Sequence, residues 1–292
     1  MPLGQSYIIN EFVEQLLCII IELWKHVYFY SSIDPHFVTW YGNHYSYHGA
    51  CDLVLVQNPK FASGKGLDLH VRTEHMMNGA FSFISNAALR IGKDVFEVAN
   101  DGSYYLNGEK NALLPATLGG FLLTKYVGEM CKGKNNDKCS EVTSFNVALA
   151  SKDAIRFKVA SNMVHVDVKG TSATFTGSSG LMGTYPSEHH GKIARDGVTV
   201  LREPNVFAEE WQVREHEPKL FQKCRYPQYP ETCIPAVSPL NTERRLREED
   251  SEARVAAEEA CSHVIGAEWE FCVFDVLATG DYGMAATIYG EN

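Results

Sequence analysis

Three groups of residues have side chains that could support a reaction or hold a ligand. Glu188-His189-His190, with Asp34 and His36 as companions, offers the carboxylates and imidazoles of a metal-dependent hydrolase or a lectin-like metal site. Metal-binding histidines are usually spaced to lie on one face of an element, whereas neighbours on a strand point to opposite faces. His189 and His190 therefore read as a polar loop before Gly191. Gly177-Ser178-Ser179-Gly180 is superficially like a nucleophile elbow, but that turn needs glycine at position 181, where Leu181 stands. It reads instead as a turn or bulge in a strand. Gly64-Lys65-Gly66 lacks both the further glycine and the following helix that would aim N–H groups at a phosphate, so it reads as a hairpin loop. Trp40, Tyr41, Tyr45 and Tyr47 could form a recognition surface, but aromatic-rich strands more often face a core. These residues predict no catalytic residues, no metal ligands and no cofactor.

The cysteines carry a different message. Cys131 and Cys139, Cys224 and Cys233, and Cys261 and Cys272 form three couples close in sequence, each in a polar or turn-rich stretch. None is a Cys-x-x-Cys and no histidine pair sits beside them at ligand spacing, which favours disulfide-closed loops over zinc. Cys18 and Cys51 are left over. Disulfides imply an oxidising compartment, extracellular or at the cell surface. The N-terminal stretch does not supply a clean signal peptide. Its apolar run Leu16–Ile21 is flanked by Glu11, Glu14, Glu22 and Lys25, and is too short to cross a bilayer. Residues 1–31 read as an apolar helical segment, or as a truncated or mis-assigned beginning. No Asn-x-Ser/Thr sequon occurs in the sequence.

The positioning elements are strands. At 292 residues, 45% hydrophobic and 21% charged, the chain can bury one sizeable core. A net charge of −10 argues against a nucleic-acid partner, because such affinity rests on cations neutralising phosphates. Asp34-Pro35, the run Phe37 to Tyr41, Gly42-Asn43 and the extended run Tyr45 to Val56 predict a hairpin. In the next strand, Leu69, Val71 and Thr73 alternate with His70, Arg72 and Glu74. Asn100-Asp101-Gly102 and Asn107-Gly108 predict two successive hairpin turns, and short strands continue to Val168. After Arg202 the composition shifts. Phe207 to Val213 reads as a further strand, Arg225 to Pro239 is too proline-rich for a regular element, and Glu243 to His263 predicts a helix ending before Gly266. The apolar stretch Glu268–Val276 should dock on a neighbour, with Cys261 tied to Cys272.

Several of these stretches resemble one family in order and spacing. Asp34-Pro35-His36-Phe37, the aromatic-glycine pair Tyr41-Gly42, and Tyr45-x-Tyr47-x-Gly49-x-Cys51 followed by Leu53-Val54-Leu55 resemble the opening of a von Willebrand factor type D domain. Ile91-Gly92-Lys93-Asp94 through Glu97-Val98, with Asn107-Gly108 after it, is similar to the middle of that domain. Gly180-Leu181-Met182-Gly183-Thr184-Tyr185 and Arg195-Asp196-Gly197 are similar to its close. The resemblance covers residues 32–202, and residues beyond Trp211 resemble an extension that follows type D domains in some matrix and adhesion proteins.

The resemblance implies a mainly β fold, an antiparallel β-sandwich or barrel-like type D domain over 32–202. A C-terminal extension over 203–292 would hold the proline-rich loop and a small disulfide-tied α-helical subdomain. It also implies a non-enzymatic extracellular or cell-surface module for adhesion or matrix assembly, with other proteins or matrix components as partners. Departures fall on functional positions. The family's closing cysteine is Met182, which leaves Cys51 without its expected partner. Of the family's calcium ligands Asp34 is present, but Thr184 and Pro186 replace the later ones and only Glu188 could add oxygen. Calcium prefers six to eight oxygens, so Asp34 reads as a turn residue bonding backbone.

Overall fold

The computed structural model describes residues 35–76, 79, 81–132, 138–150, 152–187, 191–237 and 251–289. The fold is mainly β, 41% strand against 19% helix, and its sheets are antiparallel with no closed barrel. Of the predicted first hairpin, β1 (His36–Val38) and β2 (His44–Ser46) pair with Phe37 opposite Tyr45, while the run expected to stay extended from Tyr45 to Val56 is divided among three sheets. β3 (Gly49–Ala50) leads into β4 (Asp52–Asn58), the first strand of a six-stranded sheet. That sheet continues in sequence order through β5 (Leu67–Met76), β6 (Phe81–Ile91), β7 (Asp94–Ala99), β8 (Tyr104–Leu106) and β9 (Glu109–Lys110). Both predicted tight turns form. Asn107 and Gly108 adopt φ of 52° and 85°, the left-handed pair that a two-residue hairpin requires.

A second sheet holds β10 (Ala116–Leu118), β11 (Phe121–Lys132), β12 (Lys138–Ala148), β13 (Ala154–Ala160) and β14 (Met163–Lys169), again in sequence order. The two sheets pack face to face through rings supplied by alternate residues. Phe96 of β7 lies 5.3 Å from Phe145 of β12 and 5.5 Å from Phe157 of β13, centroid to centroid. All three are fully buried, which fits a sandwich core built from the inward half of each strand.

Sheet edges and outer faces depend on the later chain. Residues 211–213 run beside β4, with Val54 N donating to Trp211 O at 2.8 Å and Val213 N to Asp52 O at 2.9 Å. Leu181 N donates to Val54 O, and Gln57 and Ser179 exchange backbone bonds, so the other half of the same edge is covered. The polar face of β5 is covered as well. Every residue from Leu67 to Thr73 is buried, because residues 211–225 lie over His70 and Arg72. The first part of the extension is thus wrapped onto the β domain.

The stretch Pro204–Glu210, which overlaps the strand expected at Phe207 to Val213, is a helix with proline in its first turn. Proline lacks the N–H a ladder needs but suits a helix start, and only residues 211–213 pair with a strand. In the C-terminal unit, helices Ser251–Ala260, Ala267–Thr279 and Met284–Tyr289 enclose a second core around the Cys261–Cys272 disulfide. The helix expected from Glu243 is described only from Ser251, because residues 238–250 lie outside the described residues. This unit docks on Phe81, Ala160 and Met163, with Phe81 edge-on to Phe274 at 5.2 Å. No described helix is long and apolar enough to cross a membrane.

Candidate functional site

Asp34, Glu188, His189 and His190 lie outside the described residues. His36, their expected companion, is buried in the domain seam: its Nδ1 is 2.6 Å from Ser46 Oγ and its ring stacks on Phe271 at 3.6 Å. Among the described residues no group of three or more His, Cys, Asp or Glu is placed to hold a metal ion. Of the aromatic set, Trp40, Tyr45 and Tyr47 are core residues. Trp40 Nε1 donates to Gly183 O at 3.1 Å and Tyr45 Oη to Leu181 O at 2.6 Å, so the opening corner is built against the Gly180–Tyr185 segment. Tyr41 is half-buried and its hydroxyl accepts a bond from Ser187 N.

Gly177-Ser178-Ser179-Gly180 forms the edge pairing on β4. A Cβ at Gly180 would stand 2.4 Å from Leu55 O, at a φ of 144°, which is why glycine occupies the closest approach of the two chains. Gly64-Lys65-Gly66 lies in the loop between β4 and β5, as expected.

The cysteine pairing differs from the expectation in one couple. Cys233 bonds to Cys51 rather than to Cys224, with Cα atoms 5.3 Å apart and 182 residues between them. The cause is strand pairing: β15 (Ile234–Pro235) aligns with β3, Ile234 opposite Ala50, which brings Cys233 to Cys51. Cys224 is a free, exposed thiol. Cys261 and Cys272 are bonded as expected. Cys131 and Cys139 are register partners on β11 and β12, and their side chains lie outside the described residues.

Two arrangements emerge that local pattern did not indicate. The first is a polar layer under residues 211–225. Arg72 forms a two-pronged pair with Asp52, at 2.7 and 2.8 Å, donates to Lys223 O at 2.9 Å, and lies over the Phe221 ring. Glu97 accepts from Asn86 Nδ2 and Gln222 N, and burial holds its carboxyl above the usual range. Arg195 stacks on Trp211, pairs with Glu217 and donates to the carbonyls of Glu210 and Gln212. His70 lines a cavity of about 30 Å³ in this layer, and its Nδ1 has no hydrogen-bond partner among the described residues. Burial, then the charges of Arg195, Arg90 and Lys219, lower its pKa to about 3. The imidazole is therefore neutral in ordinary conditions, and the layer serves as a clamp for the extension.

The second arrangement is a cleft of about 350 Å³ at one end of the sandwich, between the β4–β5 loop and residues 173–176. Its carbon surface comes from Phe61, Ala62, Phe121, Leu149 and Ala173, and its polar groups from Asn58, Lys60, Ser63, Thr174 and Thr176. Asn58 anchors both walls. Its Oδ1 accepts from Lys60 N at 3.0 Å and its Nδ2 donates to Thr176 O and Ser178 Oγ at 3.1 Å. Buried Asp153 fixes the opposite wall by accepting from the hydroxyls of Thr171 and Thr174. Beneath the cleft, Phe61 and Phe121 pack at 5.6 Å. Ala62 and Ser63 adopt left-handed backbone, φ 48° and 60°, although neither is glycine. Such conformations persist only where surroundings enforce them and concentrate at binding sites. The sequence signal here was only a loop after Asn58-Pro59 and a threonine-rich stretch from Thr171 to Thr176. Their convergence depends on Asn58 and Asp153.

Neither family models nor curated proteins give a match for this chain.

Proposed function

We propose that this chain is a non-enzymatic extracellular or cell-surface module of the von Willebrand factor type D kind, which binds through the loop end of its sandwich. The observation that carries the reading is the Cys51–Cys233 disulfide, which ties the proline-rich strap to the domain across 182 residues, together with Cys261–Cys272. Bonds of this kind form and persist in oxidising compartments. The order of motifs over residues 32–202 supports the family. The role in adhesion or matrix assembly draws on the rigid scaffold with loops gathered at one end, the arrangement in which binding surfaces are commonly carried, and on exposed Tyr226, Tyr229 and Val237 along the strap. Proteins or matrix components are the partners this reading expects.

The test is thiol accounting on protein taken from the producing cells, alkylated before lysis and mapped by mass spectrometry. Cys224 should be labelled, while Cys51, Cys233, Cys261 and Cys272 should be labelled only after reduction. Recovery of those four as free thiols would overturn the extracellular reading.

A further inference from the structure

The geometry points to the cleft at the loop end as a site for an anionic saccharide unit, a pyranose ring bearing one carboxylate. This deepens the reading of the chain as an extracellular binding module and rests on it. Size comes first. At about 350 Å³ the cleft lies at the small end of ligand pockets, which commonly span about 300–1,000 Å³, so it suits a compact ligand rather than a folded partner. An extended peptide would dock by adding a strand, but the β4 edge beside the cleft is already bonded to Ser179 and Leu181.

Chemistry narrows the class further. The cleft offers the hydroxyl of Ser63 and the acceptor oxygen of Thr174, whose proton goes to Asp153, beside the carbon surface of Phe121, Leu149 and Ala173. A pyranose presents the matching pair, a rim of hydroxyls around apolar C–H faces. Among the described residues, Lys60 is the single charged side chain lining the cleft, and its ammonium pairs with no carboxylate there. Lys65, Lys93 and Lys152 are also exposed on turns of this end, on a chain whose net charge is −10. Positive charge kept at one end of an acidic protein, around a cleft with no acid among its described lining residues and with Asp153 buried behind Thr174, favours an anion. The ring is held by hydroxyl and carbon contacts, and Lys60 selects the carboxylate.

Titration of the full chain with D-glucuronate, D-glucose and sodium sulfate, followed by two-dimensional NMR, tests this. Glucuronate should bind saturably with resonances of Phe61, Ser63 and Thr176 shifting. Glucose should bind roughly five- to tenfold more weakly, and sulfate more weakly than glucuronate. Lys60→Gln should reduce glucuronate affinity to that for glucose with an unchanged melting curve, whereas Lys110→Gln, on the far edge strand, should leave it unaltered. Equal binding of glucuronate and glucose, sulfate binding as tightly as glucuronate, or no saturable binding at millimolar concentration would each overturn the assignment. Those outcomes are read on purified protein. The module reading stands or falls separately on the thiol state in cells.

Discussion

Replacing both Cys51 and Cys233 by alanine removes the bond that closes most of the β domain into one loop. Both must go, because a lone Cys233 would be left near Cys224 in sequence and could form the local bond. In the chain-entropy description, a loop closed across 182 residues restricts the unfolded chain by roughly 5 kcal/mol, whereas the shorter Cys261–Cys272 loop, across 11 residues, contributes about 3 kcal/mol. The folded domain should survive the first loss, since Arg225 still donates to Thr73 O and Gln212 to Glu231 O. Urea unfolding followed by tryptophan fluorescence is a suitable assay, because Trp40 and Trp211 are buried in the β core. The double variant should unfold at much lower urea than the parent, with a loss exceeding that of Cys261→Ala/Cys272→Ala. A loss below about 1 kcal/mol, or one no larger than that of the helical pair, would refute the argument that the long loop dominates.

Three further outcomes follow from the polar layer and the β4 edge. Gly180→Ala should cost more than about 2 kcal/mol, since its methyl would meet Leu55 O, whereas Gly64→Ala, with open space around it, should cost about 1 kcal/mol from its left-handed backbone alone; urea midpoints compare the two. Arg72→Met should cost roughly 2–3 kcal/mol by stranding Asp52, and adding Asp52→Leu should recover part of it, read as a double-mutant cycle. His70 is held at about 3, below its unfolded value near 6.5, so the unfolded chain binds the extra proton between those limits. Its contribution is present above about pH 6.5 and lost as pH falls toward 3, by up to about 1.4 kcal/mol per pH unit. His70→Gln should therefore show a shallower fall in urea midpoint between pH 6 and pH 4, and parallel curves for the two proteins would sink that account.

Much of the fold was legible because strands and tight turns are local. Alternation along Leu69 to Glu74, the Asn107-Gly108 turn and the aromatic run after Pro35 each lie within one element and its immediate neighbours, and they specified sandwich strands. Phe207 to Val213 misled in the opposite direction: those residues suit a strand, but the backbone before Trp211 begins with Pro204, a residue that starts a helix. The same limit applied to Cys224 and Cys233. Nearness in sequence suggested a bond, while Cys51, far away along the chain, lay beside Cys233 once β15 paired with β3.

The opening corner shows where local pattern stops. Side-chain types around Asp34 to Tyr47 established that the chain turns there and that its aromatic residues belong inside a β domain. Which groups they would meet was a matter of tertiary packing: Trp40 and Tyr45 bond the carbonyls of Gly183 and Leu181, and His36 stacks on Phe271 of a helix near the other end of the chain. The cleft has the same origin. Asn58 and Asp153 are ordinary polar residues in the sequence, and they become the supports of the cleft only when folding buries them, because a buried amide or carboxylate must find partners wherever the chain brings donors and acceptors within reach.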